Sequence, residues 1–366
     1  MNDSRNLLLA LIRSALWSYP VDGLDSIPDW TQVLRLAQKQ TVSGLVAHAI
    51  KHVPEPYRPD AANHRNLQIT AMRICQSHAL LNRKLAETKR FLDSKGIHSV
   101  LFKGQGVALN YPDSTIRQCG DIDLYVGERN FQRTLSLFKP GTSEDKFRFI
   151  KHFDFDDQGV HIEIHRIAEK LPVRRVNRLF QEWTVKNLEE SELRQEMIGG
   201  ESINLPPVNF DVIYIMNHIW HHFIMGGVGL RQICDWTMYL HRFHGMVDEE
   251  QLAGDLDRFN LYIPWQILGC IAVECLGLPS EECPLYDGKF RKKSDMILEM
   301  IWSEGNFGKY APKALKPRPE GLLAGKLYSF RRNSSRFGKL IPISPSYMIQ
   351  SWLSYTFTGI RNVFNG

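Results

Sequence analysis

Asp121 and Asp123, in the run GDIDLYV, are separated by a single residue. In a strand successive side chains alternate, so both carboxylates project from one face while Ile122 and Leu124 turn to the core. Like charges that close repel and desolvate poorly unless a cation lies between them, and a shell of carboxylate and phosphate oxygens is what Mg²⁺ selects. Glu163, in VHIEIHR with Val160, Ile162 and Ile164 turned the other way, is placed to supply the third carboxylate that two-metal chemistry uses at the metal activating a hydroxyl. Upstream, Lys103-Gly104 follows the apolar SVLF and reads as a tight turn into a short helix, leaving backbone N–H groups for an anion. Lys103 adds a point charge there. Arg117 precedes Asp121 by four residues and is placed to fold back over the carboxylates and neutralise phosphate charge.

Several histidines compete for attention. His161, Glu163 and His165 share one strand face, which offers zinc a nitrogen and oxygen site. No fourth ligand stands out, so His165 reads as a supporting or packing residue. His218 and His222 stand one helical turn apart, with His221 between them, but no glutamate follows His218 as in a helical HExxH site, so a structural or substrate-contacting role is expected. Arg231 and Asp235 have the spacing of a surface ion pair. Their neighbour, the run MGGVGL, also makes Arg231 a candidate contact to phosphate or acceptor.

Taken in order, Lys103-Gly104, Tyr111-Pro112, Arg117, GDIDL and IEIH resemble the bacterial uncharacterised-nucleotidyltransferase family of the DNA-polymerase-β-like superfamily. The resemblance covers Ile97 to Arg166, with GVGLRQICDW and EGNFG further along. It implies an α+β fold, a small mixed sheet with helices flanked by N-terminal and C-terminal helical regions. It implies Asp121, Asp123 and Glu163 as ligands of Mg²⁺ or Mn²⁺. With Lys103, Gly104, Gln105, Arg117 and Arg231 they make up the site expected to hold an NTP. The implied reaction moves a nucleoside monophosphate from the NTP to a hydroxyl-bearing acceptor and releases pyrophosphate. The acceptor is expected to be a small molecule, peptide or protein rather than nucleic acid. The alternative is a non-catalytic nucleotide-binding or nucleic-acid-binding protein on the same fold. One departure is Gln105, where the superfamily turn has Ser or Gly, with sixteen residues between Gly104 and Asp121.

The elements that must position these residues follow from periodicity. Apolar spacing predicts a helix over Trp30 to Ile50 and a long one ending near Lys95, with Gly96 as the stop. Strands are predicted at IHSVLF, DIDLYV, FRFIKHFDF and VHIEIHR, the last two joined by a hairpin turn at Gln158-Gly159, with helices at about Gln105 to Asn110 and Glu128 to Phe138. From Phe180 onward helical patterns return, notably over Val212 to Phe223, Leu230 to Phe243 and Ile263 to Leu276. The expected organisation is an N-terminal helical region (1–70), a core (71–170), a C-terminal helical domain (171–310) and a basic, aromatic-rich arm (311–366). The chain contains no internal repeat. Between Lys313 and Lys339 there are eight Lys or Arg against one acid, Glu320. That segment reads as a solvated basic arm, with nucleic acid or an anionic surface as the alternative contact.

Composition bounds the rest. With 366 residues, 43% apolar and 11% aromatic, the chain can bury a sizeable core. A net charge of +5 is modest for this length and does not mark a dedicated nucleic-acid binder. Six cysteines without a CxxC pair fit reduced thiols in the cytoplasm. Asp3 ahead of the first apolar run, Arg13 interrupting it and the lack of a small-residue cleavage site argue against a signal peptide, and no stretch has the apolar length of a membrane span.

Overall fold

The computed structural model describes residues 3–141, 150–310 and 319–364. Three helices open the chain: α1 (Ser4–Trp17), α2 (Trp30–Gln40) and α3 (Ser43–Ala49). The single helix expected over Trp30 to Ile50 is broken at Thr41, which takes a left-handed φ of 60°. Apolar spacing carries on across the break, so periodicity alone does not reveal it. Next comes α4 (Ala61–Ser94), capped by the Asp60 carboxylate, which accepts from the Ala62 and Asn63 N–H groups. It stops before Gly96, whose φ is 64°.

The central part follows as β1 (Val100–Phe102), α5 (Gly104–Ala108), β2 (Asp121–Tyr125), α6 (Gly127–Phe138), β3 (His152–Asp157) and β4 (Val160–His165). The sheet order is β1-β2-β4-β3, with β2 and β4 parallel and the outer pairs antiparallel. This is the expected small mixed sheet. Gln158 and Gly159, both at positive φ, close the β3–β4 hairpin. The expected strand FRFIKHFDF begins later than its sequence suggests, at His152, and its residues Phe147 to Phe149 lie outside the described residues.

Alternation gives the sheet two different faces. Ile122, Leu124, Phe153, Ile162 and Ile164 are buried with Leu81 and Leu85 of α4 and Phe131 and Leu135 of α6. Asp121, Asp123, His152, Glu163 and His165 turn the other way, into a cleft.

After α7 (Arg174–Glu189) the chain forms a second hairpin, β5 (Arg194–Ile198) and β6 (Glu201–Leu205), where helix was expected. Its polar strands carry little alternation, and the Gly199-Gly200 turn was the available signal. The remaining helices are α8 (Val208–Met225), α9 (Leu230–Phe243), α10 (Glu249–Arg258), α11 (Tyr262–Cys270), α12 (Arg291–Glu304), α13 (Leu322–Leu340) and α14 (Pro345–Phe364).

The expected partition at residue 70 falls inside α4, which runs through it unbroken. Leu8 and Val33 near the N-terminus share one core with Trp220, Trp236 and Trp265, so the N-terminal and C-terminal helices pack as one body. The basic segment also differs from the expected arm. Pro312, Lys313 and Pro317 lie outside the described residues, but most of the rest is α13, with Phe337 and Leu340 buried. Arg336 pairs with Glu304 at 2.6 Å and donates to the Ile224 carbonyl. Arg331, Arg332 and Lys339 stay exposed. Among the described residues no helix is long and apolar enough to cross a membrane.

One close approach fixes the segment that leads into β2. A Cβ on Gly44 of α3 would stand 2.1 Å from the Ile116 carbonyl oxygen. Gly44→Ala is therefore expected to lower stability by about 1–3 kcal/mol, read by urea unfolding, because backbone must move to admit the methyl group. An unchanged unfolding midpoint would show that this contact is not tight.

Candidate active site

The cleft has a volume of about 360 Å³ and lies between the polar sheet face and helices α8 and α9. Lys103, Gly104, Arg117, Asp121, Asp123, Glu163 and Arg231 all line it. Gln105 does not: it is 1% exposed, and neither polar atom of its amide has a partner. The first turn of α5 points that side chain inward, away from the cleft where the nucleotide was expected.

Strand register assembles the carboxylates. Asp123 stands opposite Glu163, and Asp121 opposite His161, on the parallel β2–β4 pair. Asp121 is held above the ordinary aspartate range by the charge of Asp123 beside it and by burial. Asp123 is buried, which opposes its charge, but Lys103 and His165 outweigh that and hold its carboxyl well below the usual range. Lys103 Nζ lies 3.4 Å from Asp123 Oδ1, and His165 Nε2 lies 2.9 Å from the same oxygen.

Lys103 sits at φ 51°, ψ −133°, in a region that favours glycine. A non-glycine residue held there costs on the order of 1–3 kcal/mol and persists where its surroundings fix it. Here the ammonium is fixed between Asp123 and His218, donating to His218 Nε2 at 3.1 Å.

His218 links Lys103 to Glu169 in a chain of polar contacts that the sequence did not disclose. Burial, then Lys103 and His222, push its imidazole well below the usual histidine range, so it is neutral. Its Nε2 then accepts from Lys103, and its Nδ1 faces Glu169 Oε2 at 3.6 Å. Glu169 is 1% exposed and pairs with Lys151 at 2.9 Å. Burial opposes its charge, but Lys151, His221 and His218 keep it ionised, well below the usual range. Nothing in RIAEK marks Glu169 as buried, because the segment is irregular and carries no periodicity.

The histidine and glutamate group on the sheet is also regrouped. His161 turns to Asp156, 3.1 Å away. The partner from β3 is instead His152, which faces His165 in register. His152, Glu163 and His165 offer ligand atoms all within 4.8 Å of one another. The Nε2 atoms of His165 and His152 lie 3.2 and 3.6 Å from Glu163 Oε2. Three carboxylates and two imidazoles on one polar face are a donor set that suits a divalent cation.

The arginines are placed differently from expectation. Asp235 is not paired with Arg231 at the surface. It is 5% exposed and gripped by Arg117 through two hydrogen bonds of 2.9 and 2.7 Å, with the Tyr111 hydroxyl donating at 2.8 Å. Arg117 is therefore committed to Asp235 rather than free above the carboxylates. Arg231 donates to the Gln118 carbonyl, while its Nε has no partner. Its charge favours ionised Asp121.

A solved structure of an antigenic nucleotidyltransferase-like protein from Paracoccidioides brasiliensis aligns at 14% identity and a TM-score of 0.27, covering 50% of this chain and 86% of that one. No curated protein matches. Residues 26–277 match the family described as uncharacterised nucleotidyltransferase, a span that takes in the whole sheet and every cleft residue named above. The chain belongs to that uncharacterised nucleotidyltransferase family.

Proposed function

We propose that the cleft transfers a nucleoside monophosphate from an NTP to a hydroxyl-bearing acceptor, as polymerase-β-like enzymes do, with Asp121, Asp123 and Glu163 holding Mg²⁺ or Mn²⁺. The observation that carries this reading is the register of β2 and β4, which sets Asp123 opposite Glu163 with Asp121 on the same face of its strand. A divalent cation on these carboxylates supplies charge stabilisation to the phosphates. The acceptor oxygen forms a bond to the α-phosphorus with its own electron pair. The bond from that phosphorus to the bridging oxygen breaks, pyrophosphate leaves with the pair, and the hydroxyl proton passes to solvent. Lys103, fixed beside Asp123, and Arg231, with an unpartnered Nε, are the cations this chain brings to the phosphates.

The test is equilibrium binding of each of the four NTPs with Mg²⁺ or Mn²⁺, followed by pyrophosphate release in the presence of a cell-extract acceptor pool. Metal-dependent binding that weakens about ten-fold in Lys103→Ala is expected. Failure of all four NTPs to bind with either ion would sink the proposal.

The imidazoles beside Glu163 add a further expectation. Nitrogen ligands suit Mn²⁺ better than Mg²⁺. Mn²⁺ should bind more tightly than Mg²⁺, and His152→Ala should narrow the difference. Titration followed by Mn²⁺ electron paramagnetic resonance, with Mg²⁺ competition, reads this directly; an unchanged ratio in the variant would remove His152 from the site.

A further inference from the structure

We infer that a second, polar groove beside the cleft holds the acceptor, and that this acceptor is a small hydroxylated molecule bearing a phosphate. Its role as acceptor rests on the nucleotidyl-transfer reading, whereas the groove's ligand chemistry stands on separate observations.

The groove has a volume of about 670 Å³ and lies among α2, α3 and α4. Its wall toward the cleft is the Gln118–Cys119 segment. Arg117 and Asp121, on either side of that segment, line the cleft itself. Arg231 holds the Gln118 carbonyl from the cleft side. Gln118 and Asp121 are three residues apart in sequence, so their Cα atoms are separated by no more than about 11 Å. A molecule the size of a sugar phosphate, seated in the groove, spans that distance and brings a hydroxyl toward the carboxylate.

The lining is one-sided in charge. Arg35 comes from α2 and Arg73 from α4, and no acidic residue lines the groove among the described residues. Elsewhere on α4, Arg83, Lys84, Lys89 and Arg90 each pair with an acid. Arg35 and Arg73 have no acidic partner among the described residues. Two guanidinium groups facing one pocket without a counter-charge match a phosphate dianion, which each can engage with paired N–H donors. Asn63, Asn66 and Thr70 supply neutral donors and acceptors for hydroxyl groups. Two cations in a short groove do not make the extended basic track that a polynucleotide backbone requires.

The experiment titrates glucose 6-phosphate, glucose and inorganic phosphate into the full-length protein by calorimetry, with and without a saturating nonhydrolysable ATP analogue and Mn²⁺. Glucose 6-phosphate is expected to bind at least about ten-fold more tightly than glucose, the gain of one charge-assisted contact. The double variant Arg35→Gln, Arg73→Gln should abolish that difference while leaving the melting temperature and the affinity for the ATP analogue unchanged, since both side chains are exposed. Equal binding of glucose and glucose 6-phosphate, or full binding by the double variant, would overturn the inference. Failure of the transfer reading would appear elsewhere, as loss of the ATP-analogue arm with the phosphate arm intact.

Discussion

Asp121→Asn is expected to lower nucleotidyl transfer by roughly 10³-fold or more, the scale of removing one group that stabilises charge in a transition state. The substitution keeps the side chain's shape and removes its charge. Asp121 is the member of the pair with no direct ion pair of its own among the described residues, held above the ordinary range by Asp123 next to it. Neutralising it relieves that repulsion, so the fold should be kept or slightly stabilised while cation binding is lost. Asp123→Asn should abolish transfer as well, but for mixed reasons: Lys103 and His165 both lean on that carboxylate, and the variant leaves the buried His165 and the half-buried Lys103 without their charge partner. Asp121 is thus the cleaner test. Thermal melting, Mn²⁺ affinity and pyrophosphate release should be measured on both variants. Transfer by Asp121→Asn at the wild-type rate would remove the carboxylate pair from the chemistry.

The parts of the site that could be read in the sequence are those carried by regular strands. Alternation in DIDLY and VHIEIH places Asp121, Asp123 and Glu163 on one face because the apolar partners leave no other choice, and the structure puts them there. The spacing could not say that β4 would lie parallel beside β2. The Gln158-Gly159 turn did make β3 and β4 neighbours, but His152 goes unrecognised as the partner that their register brings to Glu163, and Glu169 reaches His218 from an irregular segment. Long-range charge pairing is equally hidden. Arg231 and Asp235 have the helical spacing of a pair, yet Asp235 is taken by Arg117, more than a hundred residues away in the chain. The missed β5–β6 hairpin has the same cause in another form: its strands are mostly polar and gain their order from docking on α4, where a Cβ at Gly199 would stand 2.4 Å from the Asn82 carbonyl oxygen.

The pairing of Arg117 with Asp235 carries the second large expectation. Both residues are 5% exposed, and the carboxylate receives two guanidinium bonds and the Tyr111 hydroxyl. Breaking a buried pair by removing one partner costs about 3–5 kcal/mol, because the remaining charge stays buried without compensation. Arg117→Met should lose that much stability in urea unfolding, and Asp235→Leu a similar amount. The double variant Arg117→Met, Asp235→Leu should recover most of the loss, since apolar residues of similar volume can replace a buried ion pair at little cost. The cycle separates two roles for Arg117. If it anchors the segment before β2 against α9, stability and the cycle's coupling move together, and NTP affinity falls only as the fold loosens. If instead it contacted phosphate, NTP affinity would fall in the double variant despite its restored stability. Restored stability with restored NTP affinity is the outcome the geometry favours, and its converse would return Arg117 to the nucleotide.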